Sequence, residues 1–384
     1  MDAEKTPSFL EAWNIDEKDF PASGSAADKL TFCVRYAILA PSLLNTQPWK
    51  FVVENDTVRL YADRKRGLAM MDPDDRELLL SCGASLFFLR LAVRYFGFSE
   101  QVELLPDPAD EDLLALVKLG GQRDDASGVD KTHFPMLTQW RFNRGVFQDR
   151  EVPQDVVDGL RSAAAEEGGW FHACTESEKK TVCRLIAEGD TIQLTNKNFR
   201  RELAGWVHPS RRESGDGLPD YSMGFREVMN NFSPIVVRRF KGPDGKVVRD
   251  EEMASGSPVL AVLGSRGGGS LERLYAGQAW AKVVLRAQHE GVSLSYLNQP
   301  CEVPELRLRL HDNIAHPGRA QLILRMGYPI ENVPPVMRRP LNDVLKVTGG
   351  FVSVPETSGA ALQAGSGPQK LWRKLLLALR GKTR

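Results

Sequence analysis

Apolar positions recur along this chain at two spacings. Leu30, Cys33, Val34, Ala37 and Ile38 fall at i, i+3, i+4, i+7 and i+8, the one-sided stripe of an amphipathic helix. Ser25 with Asp28 three residues later supplies a capping box to start it, and Pro41 stops it. Residues 49–53 and 57–61 then read as two strands flanking the short turn Glu54-Asn55-Asp56. A second helix is predicted from about 77 to 96, ending at Gly97. Leu78, Leu79, Cys82, Leu86, Leu89 and Val93 give it a wide apolar face, and Ala84 and Ser85 admit a close neighbour. After a polar stretch, residues 156–167 read as a helix, 258–263 as a buried strand, 271–290 as a helix closed by Gly291, and 320–326 as a last strand. The interval 198–257 is polar, rich in Gly, Pro and Arg and only weakly periodic. It reads as a surface excursion of the kind that forms lids.

The two long helices superimpose without a gap. Gly83 to Gly97 and Gly277 to Gly291 are both 14 apart, and Leu86/Trp280, Leu89/Val283, Leu91/Leu285 and Val93/Ala287 agree in character. Each helix is followed by a short extended run, at 101–105 and 292–297. This pattern predicts a duplicated unit in which each half buries its central helix against the other.

Composition narrows the function classes. Fifty Lys+Arg against 50 Asp+Glu leave a formal charge of +0, so no global field gathers polyanions, and nucleic acid is not an expected partner. The hydrophobic share of 42% over 384 residues is enough for two cores. No apolar run is read as approaching the roughly 20 residues of a membrane span, and the start Met1-Asp2-Ala3-Glu4 lacks a signal peptide's features, so a cytoplasmic location is expected. Five scattered cysteines, none in a Cys-x-x-Cys pair, argue against a disulfide framework and a structural zinc. The histidines show no metal spacing, and no Ser, His and Asp constellation is defensible. The run 264–270, Gly-Ser-Arg-Gly-Gly-Gly-Ser, follows a strand and precedes a helix. It lacks the ending of a phosphate-binding loop and reads as a strand-to-helix connection.

The most specific string is Ala40-Pro41-Ser42-Leu43-Leu44-Asn45-Thr46-Gln47-Pro48-Trp49. Its Ser and Asn, on a loop entering a strand, can hydrogen-bond a planar heterocycle of mixed donors and acceptors; an Asx-type turn is the plainer reading. The string resembles the signature of nitroreductase-superfamily flavoproteins, and this resemblance implies contacts from Pro41, Ser42, Asn45 and Gln47 to flavin mononucleotide (FMN). A second element, Arg141-Phe142-Asn143-Arg144-Gly145-Val146-Phe147, is similar to the family's phosphate-holding segment in the variant of its Acg-like branch. Asn143 stands where Ser is usual, and the element implies phosphate contacts from Arg141, Asn143 and Arg144. A third, Gly327-Tyr328-Pro329 with Arg338-Arg339-Pro340-Leu341, resembles the closing segment that returns a cation to the same phosphate; the sequence does not separate Arg338 from Arg339. Asn298 and Gln299, after the second central helix, lie where the family contacts the flavin ring. Residues 206–219 match in position the segment that covers the flavin in the Acg-like branch.

The ring-contact string occurs only in the first half and the phosphate elements only in the second. The resemblance spans residues 19–345. It implies an α+β, nitroreductase-like fold of tandem halves, 24–125 and 132–345, forming a pseudo-dimer within one chain around one FMN site. The implied activity is hydride transfer from NAD(P)H through FMN to a nitroaromatic, a quinone or another small organic acceptor. A flavin-sequestering protein and a dedicated biosynthetic oxidase or reductase are the alternatives. The chain would act as a monomer or a loose homodimer, on a small-molecule substrate.

Residues 346–369 have linker composition. In 370–384, Leu371, Trp372, Leu375, Leu376 and Leu379 share a helical face, with Lys370, Arg373, Lys374 and Arg380 elsewhere. A tethered basic amphipathic helix is the pattern of a peripheral membrane contact; a helix docked on the body, a partner-binding segment and an artificial extension are its rivals.

Overall fold

The computed structural model describes residues 10–123, 128–208, 214–219 and 244–348. The expected basic tail at 370–384 and most of the linker lie outside these residues.

Two apolar helices cross at the centre. The first, α2 (Arg76–Tyr95), follows α1 (Ala26–Ala37), whose Ser25–Asp28 capping box forms as expected: the Asp28 amide donates to Ser25 Oγ at 3.2 Å and the Ser25 amide to Asp28 Oδ2 at 2.9 Å. The second is α8 (Ser270–His289). They touch backbone to backbone at Gly83 and Gly277, where any side chain would overlap a carbonyl of the opposite helix. By length and composition α2 could cross a membrane, which corrects the reading that no run qualifies. Yet 83% of its apolar window is buried inside the protein, as for the core helix of a globular fold.

On one side lie α1 and a five-stranded sheet of order β11-β1-β2-β4-β3, where β1 is Trp49–Glu54, β2 Thr57–Ala62, β3 Phe98–Leu104, β4 Leu113–Gln122 and β11 Leu345–Thr348. The β1–β2 hairpin pairs Phe51 with Leu60 and turns at Asn55, which accepts the left-handed φ of 54°. On the other side lie α4 (Gln154–Glu166) and a four-stranded sheet of order β5-β8-β10-β9, with β5 Gly169–Ala173, β8 Val259–Ser265, β9 Ser293–Tyr296 and β10 Arg319–Gly327. The short helix α3 (Gly128–His133) precedes α4. The long helix α5 (Glu176–Thr195) begins at a second capping box, Thr175 with Glu178.

Three readings change. Residues 346–348, read as the start of a linker, belong with Leu345 to β11, which runs parallel to β1 with Leu345 opposite Phe51 and so adds a C-terminal strand to the first sheet. The excursion 198–257 is in part helical. Asn196 Oδ1 accepts from the amides of Asn198 and Phe199 to start α6 (Lys197–Trp206), and α7 (Asp244–Ser255) ends the interval. Between them, β6 (Val207–His208) pairs with β7 (Leu218–Pro219). Finally, α9 (Pro304–Ile314) fills a stretch without a sequence expectation; Leu306, Leu310 and Ile314 bury one face of it.

Candidate functional site

The loop after α1 holds three non-glycine residues at left-handed φ: Leu44 at 48°, Asn45 at 54° and Gln47 at 50°. Such residues cost about 1–3 kcal/mol each when the surroundings must impose the conformation. Here the surroundings do so through hydrogen bonds. The Gln47 amide donates to Ser42 Oγ at 3.0 Å, the Leu43 amide to Ser81 Oγ at 3.3 Å, and the Leu44 amide to the Tyr296 hydroxyl at 3.1 Å. Asn45 is the hub. Its Nδ2 donates to the carbonyls of Gly217 at 3.0 Å and Met337 at 2.9 Å, while its Oδ1 accepts from Arg338 Nη1 at 2.9 Å. Arg338 in turn donates to the carbonyls of Leu39 and Ala40, docking the closing segment on the end of α1.

Ser42 and Asn45 line a cavity walled by Arg141, Arg144 and Arg338, and no Asp or Glu lines it among the described residues. Its other walls are apolar, formed by aromatic side chains with Leu218, Pro334 and Val336. Trp13 lies 4.4 Å from the Arg141 guanidinium and 4.7 Å from that of Arg338, and Tyr296 lies 4.9 Å from Arg144. Trp140 and Phe142 complete the ring wall, with the Trp140 indole fixed by a 3.1 Å bond to the Leu39 carbonyl. Burial raises the Tyr296 hydroxyl above its ordinary pKa against the opposing pull of Arg144, so it stays a neutral donor and acceptor. Trp13 had no sequence signal. It arrives on a single turn, Glu11–Trp13, and its Nε1 donates to the Val336 carbonyl at 2.8 Å.

The other expected site residues are placed differently. Pro41 is buried beside the loop without lining the cavity. Gln47 is fully buried and braces the loop, donating to the carbonyls of Gly215 at 2.7 Å and Asn45 at 3.3 Å and accepting from the Arg339 amide at 2.9 Å. Asn143 holds its own turn: its Oδ1 accepts from the Gly145 amide and its Nδ2 donates to the Glu331 carbonyl, both at 2.8 Å. The pair left open by sequence is separated here. Arg338 faces the cavity, whereas Arg339 faces a different, open cavity of about 470 Å³ beside Arg66 and Asp216, where burial and then the Arg66 charge hold its pKa below the ordinary value.

Asn298 and Gln299 do not line the first cavity. Asn298 Nδ2 donates to Glu77 Oε1 at 3.0 Å, and Gln299 Nε2 donates to Asp190 at 3.1 Å and Asp250 at 3.0 Å. Burial, then the nearby Glu302, pushes the Glu77 carboxyl well above the carboxylate range despite Arg76. In the expected lid, residues 214–219 are latched onto the 40–49 loop through Gly215 and Gly217, and through Asp216, which pairs with Arg66 as Arg66 also donates to the Thr46 carbonyl.

No protein-family model matches the chain. It is 28% identical over 331 residues, covering 85% of this chain and 92% of the relative, to a Mycobacterium tuberculosis protein named "Putative NAD(P)H nitroreductase Rv3131". It is 24% identical over 335 residues, covering 85% of this chain and 98% of the relative, to "Putative NAD(P)H nitroreductase acg" of the same organism. Among solved structures, the FMN-dependent nitroreductase NfnB from Mycobacterium smegmatis aligns with 58% of this chain and 99% of its own at 11% identity and a TM-score of 0.35, too low to carry weight. Both relatives carry the name nitroreductase, and the likeness to each spans 85% of this chain.

FMN can be tested against the residues themselves. A phosphate dianion needs convergent cations without competing carboxylates, and Arg141, Arg144 and Arg338 provide that set. A tricyclic ring needs flat apolar walls with a few polar edge contacts, and the aromatic residues with Ser42 and Asn45 provide those. The donor set therefore fits. The enclosed space, about 30 Å³, is of the order of one water molecule, so wall side chains must yield for a flavin to enter.

Proposed function

We propose that this chain is an FMN-dependent oxidoreductase of the nitroreductase type, taking reducing equivalents from NAD(P)H and passing them to a small organic acceptor such as a nitroaromatic or a quinone. The observation that carries this reading is the convergence of Arg141, Arg144 and Arg338 on the cavity bearing Ser42 and Asn45, without a lining carboxylate. FMN, when bound, supplies the hydride chemistry. The protein's residues would bind and orient it. The three guanidiniums hold the phosphate, the Ser42 hydroxyl and the remaining lone pair of Asn45 Oδ1 meet the ring edge, and the aromatic walls exclude water. The strained 40–49 loop is braced before any ligand arrives, so little ordering is left for the binding step.

A pseudo-dimer within one chain is supported by a helix and a sheet on each side of the Gly83–Gly277 crossing. A monomer would then suffice for one site. A second functional reading, flavin sequestration, draws on the small cavity and on the latch of Gly215 and Gly217 to the loop. Anaerobic mixing of the flavin-loaded protein with NADH or NADPH separates the two. Rapid bleaching of the flavin band is expected of a reductase; a flavin that dithionite reduces and neither nicotinamide touches would defeat that reading in favour of sequestration.

A further inference from the structure

A second cavity, of about 280 Å³, opens at the N-terminal ends of the two central helices and shares no lining residue with the first. Arg76 opens α2 and Arg273 sits in the first turn of α8; Arg307 comes from α9 and Arg319 from the start of β10. Gly268, from the glycine-rich run between β8 and α8, forms part of the rim.

The cavity's lining carries one sign of charge: Arg76, Arg273, Arg307 and Arg319, with no Asp or Glu among the described residues. Arg76 Nη2 donates to Glu77 Oε1 at 2.7 Å, and Arg76 also donates to the Gln321 carbonyl. Arg273 Nη1 donates to the Asp74 carbonyl at 2.7 Å and Arg307 Nε to the Cys301 carbonyl at 2.6 Å. Backbone carbonyls orient a guanidinium without cancelling its charge. Neither these two nor Arg319 makes an ion pair among the described residues, and no Asp or Glu lines the cavity. Arg273 Nε is buried with no hydrogen-bond partner among the described residues, a costly condition for a charged donor. Burial, followed by the charge of Arg76, holds the guanidiniums of both Arg273 and Arg307 below their ordinary pKa. Asp72, Asp74 and Asp75 pull the other way on Arg273, as do Asp74 and Glu77 on Arg307, yet none of them lines the cavity, so four guanidiniums border it without a lining carboxylate among the described residues. The α8 terminus adds its positive dipole end, with Glu272 in the same first turn.

We propose that this cavity binds the diphosphate group of a small organic ligand, with Arg273, Arg307 and Arg319 as its charge partners. The volume exceeds what one phosphate fills and leaves room for two linked phosphates among Arg273, Arg307 and Arg319. Leu308, a large apolar side chain left 60% exposed, stands at the same cavity with Pro304 and offers a wall to the organic part.

Calorimetric titration of the full-length protein with inorganic pyrophosphate, ADP and orthophosphate tests this. Pyrophosphate and ADP should bind saturably, with affinity falling as salt rises, and orthophosphate should bind roughly tenfold more weakly or less well still. Arg273→Gln combined with Arg307→Gln should weaken pyrophosphate at least about tenfold. Gly268→Asp places a carboxylate at the exposed rim without removing a buried group, and should have the same effect even if the double variant folds poorly. Arg141→Ala with Arg144→Ala, in the first cavity, should leave pyrophosphate binding intact. The proposal is overturned if neither diphosphate saturates, if only ADP binds, or if Gly268→Asp binds pyrophosphate like the parent chain.

Discussion

Gly83 and Gly277 face each other across the central helix crossing. A Cβ on Gly277 would overlap the Leu80 carbonyl oxygen and lie 2.9 Å from Gly83 Cα, and one on Gly83 would overlap the Leu274 carbonyl oxygen. Gly→Ala within a helix ordinarily gains up to about 1 kcal/mol. Here the obstacle is backbone, which cannot rotate aside, so overpacking should win. Gly83→Ala is expected to destabilise the fold by about 1–3 kcal/mol. Urea denaturation measures it, and an unchanged or raised midpoint would show that the two helices can separate at little cost.

The phosphate assignment predicts unequal roles for adjacent arginines. Arg141→Ala combined with Arg144→Ala should purify without bound flavin. Arg338→Ala should also lose it, whereas Arg339→Ala, directed at the other cavity, should keep it. Absorbance near the flavin maximum against protein concentration reads the stoichiometry. Full retention in the double variant removes the assignment.

Trp13 covers two of the three cavity arginines. Trp13→Ala should speed FMN uptake by the apo-protein, because the indole stands among the walls that must yield. It should also cost about 3 kcal/mol of stability from the lost buried aromatic. Stopped-flow quenching of protein fluorescence by added FMN follows the uptake; an unchanged association rate would mean that another wall opens.

His133, 3% exposed, has its pKa lowered from the ordinary 6.5 to about 4 by burial, then by Lys282 and Arg286. Between those values the unfolded chain binds a proton that the native one refuses, so stability falls as pH drops from 6.5 towards 4 and the loss is complete below that. The displacement corresponds to about 3 kcal/mol from this group. His133→Gln should flatten that part of the stability–pH curve. Identical slopes for the two proteins between pH 6.5 and 4 would contradict it.

Sequence legibility followed the strength of local pattern. The α1 cap, the β1–β2 hairpin, both central helices and β8 and β10 were readable because each buries a periodic face close to its own turn or cap signals. The capping box Thr175–Glu178 also stood in the sequence and could have flagged α5; its weakly apolar stripe hid the helix that follows. By contrast, β11 is short and half-buried, and it becomes a strand only through pairing with β1, nearly 300 residues earlier, which no local pattern encodes. The site divides in the same way. Ser42, Asn45, Arg141 and Arg144 sit in recognisable strings and converge. Trp13 has no string around it. The resemblance placed Asn298 and Gln299 near a ring, whereas buried acidic partners hold them elsewhere: Glu77 for Asn298, and Asp190 and Asp250 for Gln299.

The bond between Asn45 and Arg338 spans 293 residues of chain. On the ribosome, the strained loop, Trp13, Arg141 and Arg144 all emerge long before the last guanidinium. A nascent chain therefore carries most of the cavity wall while Asn45 still lacks its partner. The cavity closes only when nearly the whole body has been released, which places any cofactor's capture at the end of synthesis and makes late truncation as damaging to the site as a change within it.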